Sequence, residues 1–175
     1  MEWPFADERA FWRWAFNPDA EVVDNDEDLL LRHPDGLHLL LTAAADPGCP
    51  KHDYCANVLA DYTCAIIRWG RTELYPRLRV AAEFALTLPD PLMHEWSAHV
   101  TRLLAYQQPA GPVNRATAEQ MAGDLLGGPI RPARPTVHIT PDNKHWESAD
   151  PSTATVVQID RRTGTYRFTQ RAPFA

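Results

Sequence analysis

Apolar side chains recur every third or fourth position through most of the first 128 residues and every second position near the end of the chain. This pattern predicts a helical body followed by a short β region. A first helix opens at Asp7, whose carboxylate can cap free backbone N–H groups, and closes before Asn17-Pro18. Phe11, Trp12, Trp14 and Phe16 point to more than one side of it, so it requires cover on more than one flank. Asp28 can cap a short LLLRH turn, and Gly36-Leu37 leads into a helix through HLLLTAAA that stops at Asp46-Pro47-Gly48. Between Pro50 and Trp69 the chain lines up Cys55, Val58, Leu59, Tyr62, Ala65, Ile66 and Trp69 on one broad apolar face, with Pro50 at the first helical position and Gly70 as a left-handed stop. Ala60, Cys64 and Ile67 on the other side predict that this helix is packed between layers.

A helix over 72–88 follows with Pro76 in its first turn. Asp90-Pro91 caps another, whose inward stripe runs Met93, Trp96, Val100, Leu103, Leu104 and Gln107. A capping box at Thr117 and Gln120 opens a last helix that closes at Gly127-Gly128. Beyond it, Pro129, Pro132, Pro135 and Pro141 mark a stiff linker around a strand from Thr136 to Thr140. TATVVQID and TYRFTQ then predict a hairpin across Arg161-Arg162-Thr163-Gly164, with Val157 and Ile159 opposite Tyr166 and Phe168. The expected fold is mainly α within the α+β class: stacked antiparallel helices, loosely HEAT-like, with a C-terminal β-hairpin. Residues 1–128 form the helical domain, and 129–175 a proline-rich linker and hairpin docked on it, because an isolated hairpin is marginal in water.

Charge divides along the same boundary. The net charge is -6, but residues 1–128 carry 10 basic and 19 acidic groups (-9), against 7 basic and 4 acidic groups (+3) in residues 129–175. An acidic body is a poor surface for phosphate backbones, so nucleic acid is not expected as a partner and a basic protein, or self-association, is. No apolar run approaches the roughly 18 residues of a membrane helix, and the acidic start MEWPFADERAFWRW is unlike a signal peptide. Three cysteines without a disulfide framework suit a reducing, cytoplasmic setting.

Candidate chemistry is sparse, and no phosphate loop, nucleophile elbow, HExxH or paired CxxC motif is present. Cys49, His52 and Cys55 follow at spacings of three and can converge at a helix start. Zinc on these three would need a further ligand, and a Cys55/His52 nucleophile pair is the other chemical reading. The plainer reading makes Cys55 a small core residue, and no cofactor is expected. His94 and His99 lie five apart, about 140° around a helix, which rules out a metalloprotease pair and leaves Glu95–His99 as an intrahelical contact. With His52 and Cys55 they are the catalytic candidates of an enzyme reading, in which a small-molecule pocket lies between helices.

Asp19, Glu21, Asp24, Asp26, Glu27 and Asp28 form an acidic run without a base. Leu29 stands where a calcium loop needs glycine, so the run reads as a solvated loop or a recognition surface for a basic protein. With Trp3, Trp12 and Trp14 as anchors, the expected function is a protein-binding module, specifically a small acidic inhibitor of the antitoxin or immunity type. An adaptor acting through its C-terminal hairpin is the third reading.

Overall fold

The computed structural model describes residues 5, 7–22, 36–127, 135–150 and 154–170. Among the described residues, six α-helices are followed by a four-stranded antiparallel sheet. The helices are α1 (Glu8–Ala15), α2 (Gly36–Ala45), α3 (His52–Arg68), α4 (Tyr75–Ala85), α5 (Pro91–Ala105) and α6 (Arg115–Leu126), with a 3-10 turn at Thr72–Leu74. The turn at LLLRH, the residues from 128 to 134 and much of the acidic run lie outside the described residues.

Several helix ends follow from single side chains. Asp7 accepts from the Ala10 N–H at 2.8 Å, and Asp90 from Leu92 and Met93 at 2.7 and 3.2 Å, so both predicted caps form. At the end of α3, Gly70 takes φ 61°, its N–H donates to the Ile67 carbonyl and the Arg71 N–H donates to Ile66, the paired bonds of a Schellman stop. Two starts differ from expectation. Pro50 sits in the turn before α3, which begins at His52. α6 begins at Arg115, because the Asn114 side chain accepts the Thr117 N–H at 2.9 Å and takes the capping place ahead of the Thr117 box.

Two apolar clusters divide the molecule. Phe11, Leu40, Leu41, Leu59, Ile66, Leu78, Met93, Trp96 and Val100 belong to the first, enclosed by α1 to α5. Leu103, Met121, Leu125, Trp146, Val157 and Ile159 belong to the second, between α6 and the sheet. α3 serves both, since Ile66 lies in the first and Ile67 in the second, as its two apolar sides predict. Trp69 is the exception: it lies one residue past the helix and is 66% exposed.

The sheet is larger than the expected hairpin. Strands β1 (His138–Ile139), β2 (His145–Ala149), β3 (Thr155–Asp160) and β4 (Tyr166–Gln170) lie in sequence order, each antiparallel to the next. Val157 faces Phe168 and Ile159 faces Tyr166 in the predicted register, and Gly164 has φ 73°. β2 escaped the sequence reading because HWESA is short and mostly polar. Its burial comes from Trp146, whose indole N–H donates to the Val113 carbonyl at 2.9 Å.

Candidate functional site

His99, Arg102 and Tyr106 follow at spacings of three and four on α5 and the turn after it, so one face of the helix carries all three toward α6. Asp124 of α6 receives them. Arg102 makes a two-pronged contact, Nε to Oδ2 and Nη2 to Oδ1, both at 2.9 Å, and the Tyr106 hydroxyl donates to Oδ2 at 2.6 Å. His99 Nδ1 lies 3.4 Å from Oδ1. Burial alone would raise the Asp124 pKa, but the bonds from His99, Arg102 and Tyr106 outweigh it and hold the carboxyl far below the usual range. Tyr106 moves the other way, its ionisation suppressed by burial and by the neighbouring carboxylate. The His99–Asp124 contact has the form of the carboxylate–imidazole half of a hydrolytic triad. However, Nε2 of His99 is buried and without a hydrogen-bond partner among the described residues, so no substrate reaches the imidazole in this conformation. The constellation is a lock between α5 and α6.

Next to it a second polar chain crosses from the helices to the sheet. The Tyr75 hydroxyl donates to Gln107 Oε1 at 3.2 Å, and Gln107 Nε2 donates to the Leu103 carbonyl at 3.1 Å and to the Tyr166 hydroxyl. These residues line an open cleft of about 370 Å³ between the ends of α3 and α5 and strand β4, together with Arg68, Tyr106, Arg167 and Phe168. Burial pushes the Tyr166 phenol up to about 12, and burial with the charge of Glu73 raises Tyr75, so both hydroxyls stay neutral.

The residues singled out from sequence are dispersed. Cys55 is fully buried and its thiol is pushed up to about 12, mainly by burial, the reverse of an activated nucleophile. Cys49 Sγ donates to the Ala15 carbonyl at 3.4 Å, while His52 turns Nδ1 to the Cys49 carbonyl at 3.1 Å and Nε2 to Asp53 at 3.2 Å. Among the described residues, no three His, Cys, Asp or Glu side chains are grouped to hold a metal ion. His94 is exposed, with Nε2 2.7 Å from the Leu88 carbonyl. His99 faces Asp124 rather than Glu95, because its side of α5 is the one that meets α6.

At the opposite end, α1 gathers aromatic rings. Trp14 packs on Phe5, Phe11 and Tyr54, donates to the Glu21 carbonyl at 2.8 Å and lies beneath the buried Lys51, whose ammonium donates to the Asn17 carbonyl at 2.8 Å. Trp12 donates to Glu8 at 3.0 Å and packs against Phe16. Asp19 and Glu21 are exposed, whereas Trp3, Asp24, Asp26, Glu27 and Asp28 lie outside the described residues.

Sequence reasoning missed Asp124, Arg102 and Tyr106. The spacing of His99, Arg102 and Tyr106 on one helical face was the available signal, but nothing in the sequence names the carboxylate 18 residues beyond Tyr106 that completes it. Comparison with protein-family models, curated proteins and solved structures gives no match. No helix among the described residues is long and apolar enough to cross a membrane.

Proposed function

We propose that this protein works by binding another protein, as a small acidic inhibitor of the antitoxin or immunity kind that covers a basic site on its partner. The observation that supports this most is the face presented by α1 and the segment after it. Phe16 is 47% exposed and Val22 55%, among the exposed carboxylates of Glu8, Asp19 and Glu21. Apolar anchors set among charges of one sign suit a partner with an apolar recess inside a basic rim. The charges speed encounter and the buried ring supplies affinity. Arg9 and Arg13 reduce the negative charge of α1, but residues 19–28 add six carboxylates and no base. Trp12 and Trp14 support the face from beneath, with Trp12 the more available of the two for contact through its place beside Phe16. The reading places the chain in the cytoplasm, where the thiols of Cys49, Cys55 and Cys64, none of them in a disulfide, stay reduced. The consecutive pairs α2/α3 and α4/α5 are compatible with a loosely HEAT-like stack behind this face.

The test is capture from native host lysate followed by identification and reconstitution. The wild type should retain a basic protein and suppress its activity, more weakly at high salt. A variant with Asp24, Asp26, Glu27 and Asp28 changed to Asn or Gln, or Phe16→Ala, should lose both effects. Equal capture by all versions, or none by any, overturns the reading.

An adaptor role has one specific observation behind it. β4 pairs with β3 on one side and has no second neighbour among the described residues, leaving an edge open to a strand of a partner. Changing Gln170, whose N–H points away from β3, to proline would block that edge and abolish assembly, while leaving capture through the acidic face intact.

A further inference from the structure

The cleft between the helices and β4 has a charge of its own. Its lining contains Arg68 and not one carboxylate, in a chain whose net charge is -6. The carboxylates that touch lining residues are committed elsewhere: Asp124 is held by Arg102, and Glu73 pairs with Arg71. Arg68 Nε is buried without a hydrogen-bond partner among the described residues, a costly state for a cation's donor. Arg167 also borders the cleft, but its side chain lies on the other face of β4 from Tyr166 and Phe168 and gives Nε to Gln158 at 2.8 Å.

Tyr166 supplies a further donor by elimination. The amide of Gln107 has a fixed orientation, because its nitrogen must face the Leu103 carbonyl while its oxygen accepts from Tyr75. That nitrogen therefore donates to Tyr166, and the Tyr166 hydroxyl accepts and keeps its own proton unspent. The carbonyls of Ala65, Ile66 and Ile67 at the end of α3 each accept a bond, from the N–H groups of Trp69, Arg71 and Gly70 respectively. The wall also carries the rings of Tyr75, Tyr106, Tyr166 and Phe168, with Thr72 and Thr165 beside them.

We propose that this cleft binds a small organic oxyanion, a carboxylate or phosphate monoester carried on a flat ring, with Arg68 and the Tyr166 hydroxyl holding the anion and the tyrosine and phenylalanine rings holding the ring. The volume of about 370 Å³ lies in the range of small-molecule sites. An aromatic wall favours a planar group over a bare ion. The site is independent of the acidic α1 face and survives the failure of the inhibitor reading.

Titration calorimetry of the full chain with phenyl phosphate, benzoate, inorganic phosphate and benzyl alcohol tests this. At least one of the two ring-bearing anions should bind one to one, and which of them binds tighter identifies the oxyanion. Inorganic phosphate and benzyl alcohol should bind at least about tenfold more weakly, since each lacks one half of the recognition. Arg68→Met should weaken the ring anion about tenfold, the effect of one lost charge-assisted contact, and Tyr166→Phe severalfold. Far-UV circular dichroism checks that each variant folds. Should Arg68→Met fail to fold, Tyr166→Phe, which removes one hydroxyl, carries the test. The proposal is overturned if neither ring anion binds at millimolar concentration, if inorganic phosphate or benzyl alcohol binds as well as they do, or if the folded variants bind like the wild type.

Discussion

The two apolar clusters are built by different rules. The first, inside α1 to α5, is closed by side chains that interlock without charge: Leu40, Leu41, Leu59, Leu78 and Val100 are all fully enclosed. The second, between α6 and the sheet, is smaller and is held by polar bonds: Asp124 to Arg102 and Tyr106, Gln107 to Tyr166, and, within the cluster, Trp146 to the Val113 carbonyl. Apolar packing is tolerant of detail and needs only volume and pattern, whereas a polar fastening depends on each donor finding its acceptor. The stability of the molecule therefore resides mainly in the helical part, and its geometric specificity and candidate chemistry in the junction.

Substitutions that separate the two regions sharpen this contrast. The largest effect is expected in the helical core, where Leu59→Ala leaves a void with little freedom to collapse and should cost about 3 kcal/mol in urea unfolding. A loss under about 1 kcal/mol would show that the first cluster is loosely packed. Next comes Asp124→Asn, which strips Arg102 of its countercharge and should cost about 2 kcal/mol. Here hydrogen exchange should quicken in α6 and the sheet while α3 stays protected, and uniform acceleration would deny the two-region picture.

The same variant has a pH signature. Asp124 titrates below its ordinary value of 3.8 in the folded chain, so the unfolded state binds its proton first as pH falls. Its contribution is complete above that value and is lost as pH drops toward the folded-state pKa, so the wild type should lose stability below about pH 4 more steeply than Asp124→Asn. Parallel acid limbs would contradict the depressed carboxyl.

Gly164→Ala should cost about 1 to 2 kcal/mol, because φ is 73° and a Cβ would sit 3.0 Å from Val113 and 3.1 Å from Ala110. The loss should appear as fraying of β3 and β4. The smallest change is expected for Phe16→Ala, within about 0.5 kcal/mol, since that ring is half exposed. A larger value would mean that the ring serves the core rather than a partner.

The helical part was legible in the sequence because periodicity reports a buried stripe directly. Leu78, Ala81 and Ala85, or Met93, Trp96 and Val100, lie inward as their spacing predicts. The hairpin was legible down to its register, because Val157 and Ile159 before a glycine turn, and Tyr166 and Phe168 after it, recur at every second residue. β2 was not, since one tryptophan in a short polar stretch carries no period. The polar junction was not legible either: Asp124 is an unremarkable acid on a helix with a weak apolar stripe, and only the fold brings it to His99 and Arg102. The Cys49, His52 and Cys55 cluster was conspicuous by residue type, yet its side chains turn to backbone carbonyls or into the core.

The order of the strands bears on how fast the chain folds. Each strand pairs with its neighbour in sequence, and the three connections, 140–144, 150–154 and 161–165, are of equal length at five residues. Closing such short loops carries little entropic cost, and a hairpin forms in about 1–10 μs, so no distant search is needed to set the register. The slower event is the meeting of that preformed ribbon with α6, and mutations in Met121 or Trp146 should slow refolding where mutations in the turns leave its rate nearly unchanged.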